Sequence, residues 1–300
     1  MSDAHTDSTR PLPFPDDAPS GAALHALPPI HGATAPGRPR GQGASHARHA
    51  SSQALNVSSH ALHVADAVGL LAGLPSDSVD LCITDPAYES LEKHRAIGTT
   101  TRLKHSKASS NDWYAIFPNA RFPELFREVF RVLKRGSHFY LFCDQETMFV
   151  AKPLAEAAGF KFWKPLVWDK KMIGMGYHYR SRYELILFFE KGKRKLHDLS
   201  IPDILEAPRI RGGYPSEKPP EISRVLVEQS SEPGALVVDP FAGSGSVGVA
   251  ALRAGRRFVG GDVCAEAVDI ARARLDEIAR ASGAPLDRVS PVDDASEATE

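Results

Sequence analysis

Apolar and polar positions divide this chain into a patterned middle and two ends without pattern. In the middle, short apolar runs alternate with segments of helical period. "ALHVAD" reads as a short strand, "AVGLLAGLP" as a helical turn, and "VDLCITDP" as an apolar run stopped by Pro86. Runs of this kind suit strands buried on both faces, as in a parallel sheet. The polar stretch "YESLEKHRAIGTTTRLKHSKASSNDW" follows, longer and more hydrophilic than an ordinary connection. Phe122, Leu125, Phe126, Val129, Phe130 and Leu133 then recur at helical spacing, with Gly136 placed as the stop. "HFYLFCD" reads as a strand, and "ETMFVAKPLAEAAGF" as a helix interrupted or started by Pro153. "KFWKPLVWDK" and "YELILFFEKG" give two strands and "PEISRVLVEQSS" a helix. The last unit is strand "ALVVDP", a Gly-rich turn, helix "SVGVAALRAG", strand "RFVGGD" and helix "AEAVDIARARLDEIAR". Such alternation predicts an α/β fold with a doubly wound, mostly parallel sheet.

The ends behave differently. Residues 1–53 are crowded with Pro, Gly, Ser, Ala and His and show neither period. A segment of that composition buries too little apolar surface to offset its ordering entropy, so a disordered tail is expected. Residues 281–300 lose their periodicity and end in acids, which predicts a second tail and leaves 54–280 as the folded domain. Asp3, Asp7, Asp16 and Asp17 argue against a transit peptide, and no apolar run approaches the ~18 residues of a membrane helix. The expected location is the cytoplasm. Cys82, Cys143 and Cys264 match no metal spacing and sit in or beside apolar runs, as buried free thiols do. The net charge of -1 hides an asymmetry: residues 91–215 hold 23 Lys or Arg against 13 Asp or Glu. That basic middle region suits a partner rich in phosphate.

Two motifs carry chemistry. The turn from Asp239 to Gly248, "DPFAGSGSVG", lets backbone approach a ligand, and the following helix aims free amides at an anion. Asp262, ending the next strand, lies where an acid accepts from ribose hydroxyls. By itself this turn also fits the dinucleotide fingerprint of nicotinamide or flavin enzymes, or a tight turn with no ligand. The second motif is Asp85-Pro86-Ala87-Tyr88, ending a buried strand where open α/β sheets place ligands. Alone it is a common structural turn.

Together the motifs resemble the amino-directed DNA methyltransferases, whose signatures are Asp-Pro-Pro-Tyr and Asp-Pro-Phe-x-Gly-x-Gly. The catalytic motif precedes the cofactor motif, which is similar to the circularly permuted beta class. The resemblance runs from about Leu62 to Ile278 and includes "LFREVFRVLKRGSHFYLFCD" and Lys218-Pro219. It departs at Ala87, where the family usually has a second proline. An inactive DNA-binding module is the alternative that Ala87 favours, and a nicotinamide-dependent oxidoreductase the one that the Gly turn favours. In ordinary chain order, however, too few elements follow that turn to complete a nucleotide-binding half.

The resemblance implies S-adenosylmethionine as methyl donor, double-stranded DNA as substrate, and no metal. It assigns the Asp85 carboxylate and the Pro86 carbonyl to the reacting amine and Tyr88 to stacking on the flipped base. Asp239 is assigned to the amino-acid portion of the cofactor, Phe241, Gly243 and Gly245 to its close approach, and Asp262 to its ribose. Ser246 or Lys218 is assigned to its carboxylate. Asp66 resembles the family acid near the cofactor's adenine, but reads equally well as a helix N-cap. Asp85 favours N6 of adenine over N4 of cytosine, since cytosine enzymes more often carry Ser there. Lys93, His94, Arg95, Arg102, Lys104, His105 and Lys107 follow the catalytic motif and form a candidate phosphate-contacting loop. Residues 193–216 occupy the place of target recognition, with Arg209 and Arg211 as candidate readers of guanine or phosphate. The resemblance also suggests a homodimer.

Overall fold

The computed structural model describes residues 59–90, 115–174, 178–211 and 217–283. The two expected tails lie outside them, apart from Ala281 to Gly283. So do Lys93, His94, Arg95, Arg102, Lys104, His105 and Lys107.

Eight strands form one sheet: β1 (His60–Val64), β2 (Val79–Thr84), β3 (Leu133–Cys143), β4 (Lys161–Asp169), β5 (Tyr183–Lys191), β6 (Ile204–Glu206), β7 (Leu236–Asp239) and β8 (Arg257–Asp262). Their spatial order is β1-β8-β7-β2-β3-β5-β4-β6. Every neighbouring pair is parallel except the two that β5 makes, with β3 and with β4. Among the described residues, six α-helices cover the faces: α1 (Ala67–Ala72), α2 (Phe122–Val132), α3 (Gln145–Ala157), α4 (Pro220–Ser230), α5 (Ser246–Arg253) and α6 (Ala265–Ala281). The doubly wound α/β sheet expected from the alternation is thus the observed architecture.

The period-2 rule explains the unbroken apolar strands. On β2, Cys82 joins a core with Leu71, Phe126 and Phe139, while Leu81 and Ile83 join another with Tyr140, Leu226 and Phe258. Successive side chains therefore enter opposite cores, and neither face is free for polar residues. Helices α1, α2 and α3 cover the first face and α4, α5 and α6 the second.

The edge strand shows how the permutation works. β1, near the start of the described chain, pairs in parallel with β8, near its end, over His60↔Phe258 to Val64↔Asp262. The nucleotide-binding half that looked incomplete after the Gly turn receives its third strand from the other end of the sequence.

Several local expectations change. α2 ends at Val132, and β3 begins at Leu133 with no intervening loop. Gly136, expected as the helix stop, lies within β3 at φ +80. It lies in the irregular stretch of β3 between Leu133 and His138, the residues that pair with Val79 and Leu81 of β2. Pro153 neither starts nor breaks α3 but stands inside it, and the buried face of that helix is small: Thr147, Ala151 and Ala155. The segment 193–216 contains the short strand β6, absent from the sequence reading. Cys82 and Cys143 are buried as expected, whereas Cys264 is only partly so, and all three are free. Among the described residues, no helix is long and apolar enough to cross a membrane.

Gly248 shows how tightly the C-terminal unit closes. A Cβ there would lie 2.8 Å from the Phe258 ring and 2.9 Å from a Leu275 methyl. Gly248→Ala is expected to overpack this layer and lower stability by about 1–3 kcal/mol. A fall in the urea midpoint at constant m-value checks it.

Candidate active site

The sheet reverses its winding between β7 and β2. β7 leads through α5 to β8 on one side, while β2 leads through α2 to β3 on the other. Carboxyl ends of strands at such a reversal leave a crevice that no crossover helix can cover. A cavity of about 420 Å³ opens there, lined by Asp66, Asp85, Pro86, Tyr88, Arg209, Lys218, Asp239, Phe241, Gly243, Ser246 and Asp262. Residues more than 190 positions apart in sequence meet at one site.

Two expected residues do not line it. Gly245 has φ +82 and caps α5, and a Cβ there would lie 2.9 Å from that of Ala271. Its glycine meets the demands of the turn and of the packing of α5 on α6. Arg211 is exposed, its guanidinium 2.9 Å from the Met172 sulfur, whereas Arg209 reaches the cavity wall.

The acids of the site are held by different means. Asp239 ends β7, 3% exposed. It accepts from Thr84 Oγ1 at 2.7 Å and from the Phe241 amide at 3.0 Å. Burial outweighs these bonds and pushes its carboxyl up to about 7. Asp262 accepts from the amides of Gly243 at 3.0 Å and Cys264 at 2.9 Å, and burial raises it as well. Asp66 is the N-cap of α1, accepting from Val68 and Gly69. It also takes a two-pronged bond from Arg121 at 2.7 and 2.9 Å, and this guanidinium holds its carboxyl below the usual range. The N-cap and the cavity wall are one residue, so the two readings of Asp66 coexist.

Asp85 leaves β2 and meets the Lys218 ammonium through Oδ2. Lys218 also lies 3.0 Å from Glu184 of β5, and Glu184 lies 2.7 Å from Lys170. Lys218, expected at a cofactor carboxylate, is therefore committed to two protein carboxylates. Ala87 accepts from the Phe117 amide at 2.7 Å, and Tyr88 bridges to Phe117, which fixes the turn from both sides. Tyr88 lines the cavity yet is only 8% exposed. Arg274 of α6 bonds the Ser244 carbonyl at 2.7 Å and Glu217 at 2.7 Å, joining the Gly turn to the segment that carries Lys218.

Glu184, Lys170, Arg121 and Thr84 were missed in the sequence. Glu184 did leave a signal, as the lone acid near the start of the apolar run "YELILFF".

The donor set suits a cationic nucleoside derivative. Asp239 is a buried acid whose ionised form lacks a cation partner among the described residues, so an ammonium would stabilise it. Asp262 and Asp66 stand at neighbouring strand ends, β8 and β1, where ribose and base of such a ligand can be held. Among the described residues, no group of acids, histidines and cysteines is arranged for a metal.

Comparison with known proteins agrees with this geometry. The family model described as DNA methylase, of the N6/N4 methyltransferase type, matches residues 79–207 and 198–273. YubD of Escherichia coli (strain K12) is 30% identical over 220 residues, covering 72% of this chain and 90% of YubD. The DNA adenine methyltransferase YhdJ of the same organism is 28% identical over 265 residues, covering 75% and 85%. Among solved structures, TTHA0409 of Thermus thermophilus is similar at a TM-score of 0.54 and 25% identity, covering 73% of this chain and 95% of that one. TTHA0409 has also been solved complexed with S-adenosyl-L-methionine. The chain belongs to the N6/N4 DNA methylase family, enzymes that methylate DNA with S-adenosylmethionine as donor.

The state of Asp239 has a measurable consequence. Its carboxyl titrates near 7 in the folded chain against 3.8 ordinarily. Between these values the folded state keeps a proton that the unfolded state releases, so stability from this group falls as pH rises from about 4 through 7. Asp239→Asn retains an oxygen acceptor for Thr84 and Phe241 without the charge. It is expected to stabilise the ligand-free protein at pH 8, by up to roughly 4 kcal/mol, with the gain vanishing near pH 4. Urea midpoints of both proteins across that range check it; a gain independent of pH contradicts it.

Proposed function

We propose that this DNA methylase acts on N6 of adenine. The observation that carries the reading is Asp85 itself, a carboxylate where cytosine enzymes more often carry Ser: its Oδ2 is held by Lys218, and the residue lines the cavity. The similarity to YhdJ supports adenine as the base.

An aromatic amine is a weak nucleophile because its lone pair is delocalised into the ring. Acceptors on both N–H bonds let the nitrogen pyramidalise and free that pair. Asp85 Oδ1 takes one bond and the Pro86 carbonyl the other. Bound S-adenosylmethionine supplies an activated sulfonium methyl, held through Asp239 at its ammonium, Asp262 at its ribose and Asp66 near its base. Phe241, Gly243 and Ser246 form the rest of that wall. With the methyl so activated, the protein's contribution is alignment and fixed dipoles, not strong base catalysis. The base must leave the duplex to reach this crevice, and Tyr88 gives it an aromatic face. Arg209, on the cavity wall, is the described cation placed to meet the flanking DNA. Arg95, Arg102, Lys104 and Lys107, with Arg211, complete the proposed DNA contacts. Homodimerisation and action in the cytoplasm belong to the same reading.

Ala87 does not disable this arrangement. Its carbonyl bond to Phe117 survives in proline, and the acceptor for the amine is the carbonyl of Pro86. Ala87→Pro is expected to raise single-turnover methyl transfer two- to five-fold, the equivalent of about 0.4–1 kcal/mol of preorganisation. Asp85→Ala is expected to abolish transfer while retaining DNA binding. Mapping modified bases in DNA from cells expressing the chain tests the base itself. N6-methyladenine is expected, and N4-methylcytosine in its place would overturn the adenine assignment.

A further inference from the structure

The site contains a row of four charged side chains of alternating sign, Asp85, Lys218, Glu184 and Lys170, drawn from four separate segments. Asp85 follows β2, Lys218 precedes α4, Glu184 stands on β5 and Lys170 follows β4. Lys218 and Glu184 are the deeper pair, with side chains 12% and 10% exposed. We propose that Lys218 and Glu184 are positioning residues for the reacting amine: Lys218 pairs with the Asp85 carboxylate through Oδ2, and Glu184 anchors Lys218 so that Oδ1 is turned to the cavity. This inference rests on Asp85 as the amine's acceptor, and it is independent of whether that amine belongs to adenine or cytosine.

Lys218 contacts both carboxylates, Asp85 through Oδ2 and Glu184 at 3.0 Å. A lysine stem has four rotatable carbons and no intrinsic preference for one partner. Glu184, itself fixed by Lys170 at 2.7 Å, anchors the ammonium from the side away from the substrate. The row thus ends in an oriented carboxylate rather than in a mobile lysine. The charge pattern fits the same role. An isolated carboxylate this close to a closed cavity would take up a proton, and a protonated acid donates where the amine requires an acceptor. Burial, with the Glu184 charge, pushes the Asp85 carboxyl above its ordinary range, and Lys218 opposes them. Burial acts on Lys218 in the opposite sense, but Asp85 and Glu184 outweigh it and keep the ammonium charged. Lys218 is then neither a proton acceptor nor a free ligand for the cofactor carboxylate.

The two residues act on Asp85 with opposite sign. The charged or titratable groups facing Asp85 are Lys218, Glu184 and Lys170, with Asp239, Tyr88 and Cys143 beyond them. Removing the Glu184 charge removes a repulsion and lowers the pH at which Asp85 protonates. Removing the Lys218 charge removes an attraction and raises it. A neighbouring charge at this distance moves a carboxyl by about one to three pH units.

The test is the pH profile of single-turnover transfer of labelled methyl to DNA by E184Q, K218M and K218R, with S-adenosylmethionine affinity measured by calorimetry. The expected result is that the acid limb moves to lower pH in E184Q, to higher pH in K218M, and returns toward wild type in K218R. Cofactor affinity should stay within about threefold throughout. If K218M does not fold, the direction in E184Q decides alone, because Gln keeps the volume and polarity of Glu. An acid limb that is unmoved or moves upward in E184Q overturns the proposal. So does a loss of cofactor affinity in K218M that accounts for all of its loss in rate, which would return Lys218 to the cofactor carboxylate. Label found in N4-methylcytosine would refute the adenine assignment and leave this proposal standing.

Discussion

Burying carboxylates is the constraint around which this site is organised. Asp66, Asp85, Asp239, Asp262 and Glu184 gather at or beside a single crevice, where removal from water penalises every ionised form. Each acid meets the penalty by different means. Asp66 has a bidentate guanidinium, Glu184 two ammonium groups, Asp85 one of those same ammonium groups, and Asp262 two backbone amides. Asp239 has only a hydroxyl and one amide, and burial drives it up to about 7. Where compensation is complete the acid is oriented, and where it is incomplete the acid lacks a cation. The second condition describes a binding group and the first a positioning group.

The crevice exists because of the sheet. With both faces covered by helices, four of the five acids of the site collect where strands end, and Glu184 on β5 is the exception. The reversal of winding between β7 and β2 keeps two of those ends uncovered, and the Thr84 to Asp239 bond ties them together. Permutation leaves this junction intact. It moves the chain termini so that β1 joins β8 from the other end of the sequence, while the neighbours of Asp85 and Asp239 remain the same.

Much of this was legible in the sequence, and the reasons are local. "VDLCITDP" and "ALVVDP" announce strands buried on both faces that end in an acid and a proline, and "AGSGSVG" announces a turn that needs positive φ. Such features depend on backbone sterics and period, which are written into consecutive residues. What failed depended on partners distant in sequence. Gly136 has the look of a helix stop, but it falls in an irregular stretch of β3 between residues that pair with β2, just before Ser137 pairs with β5. Gly245 belongs to a binding motif, yet its own Cβ position is claimed by Ala271 of α6. β6 is three residues long and carries too little period to register. Lys218 was recognised as part of the site, but its ion partners were not, because nothing near it in sequence names Asp85 or Glu184.

Glu184 shows how far a sequence can point without deciding. A single acid in "YELILFF" is costly in a strand whose other residues are almost all buried, so a compensating cation must exist. That much follows from the residue types alone. Which cation, and for what purpose, requires the sheet order: β5 lies two strands from β2, and Lys218 reaches between them from the segment ahead of α4. A compensated buried ion pair seldom adds net stability over well-packed apolar residues. Two consecutive pairs ending at the carboxylate proposed to accept from the amine are therefore better explained by what they do to that carboxylate than by what they add to the fold.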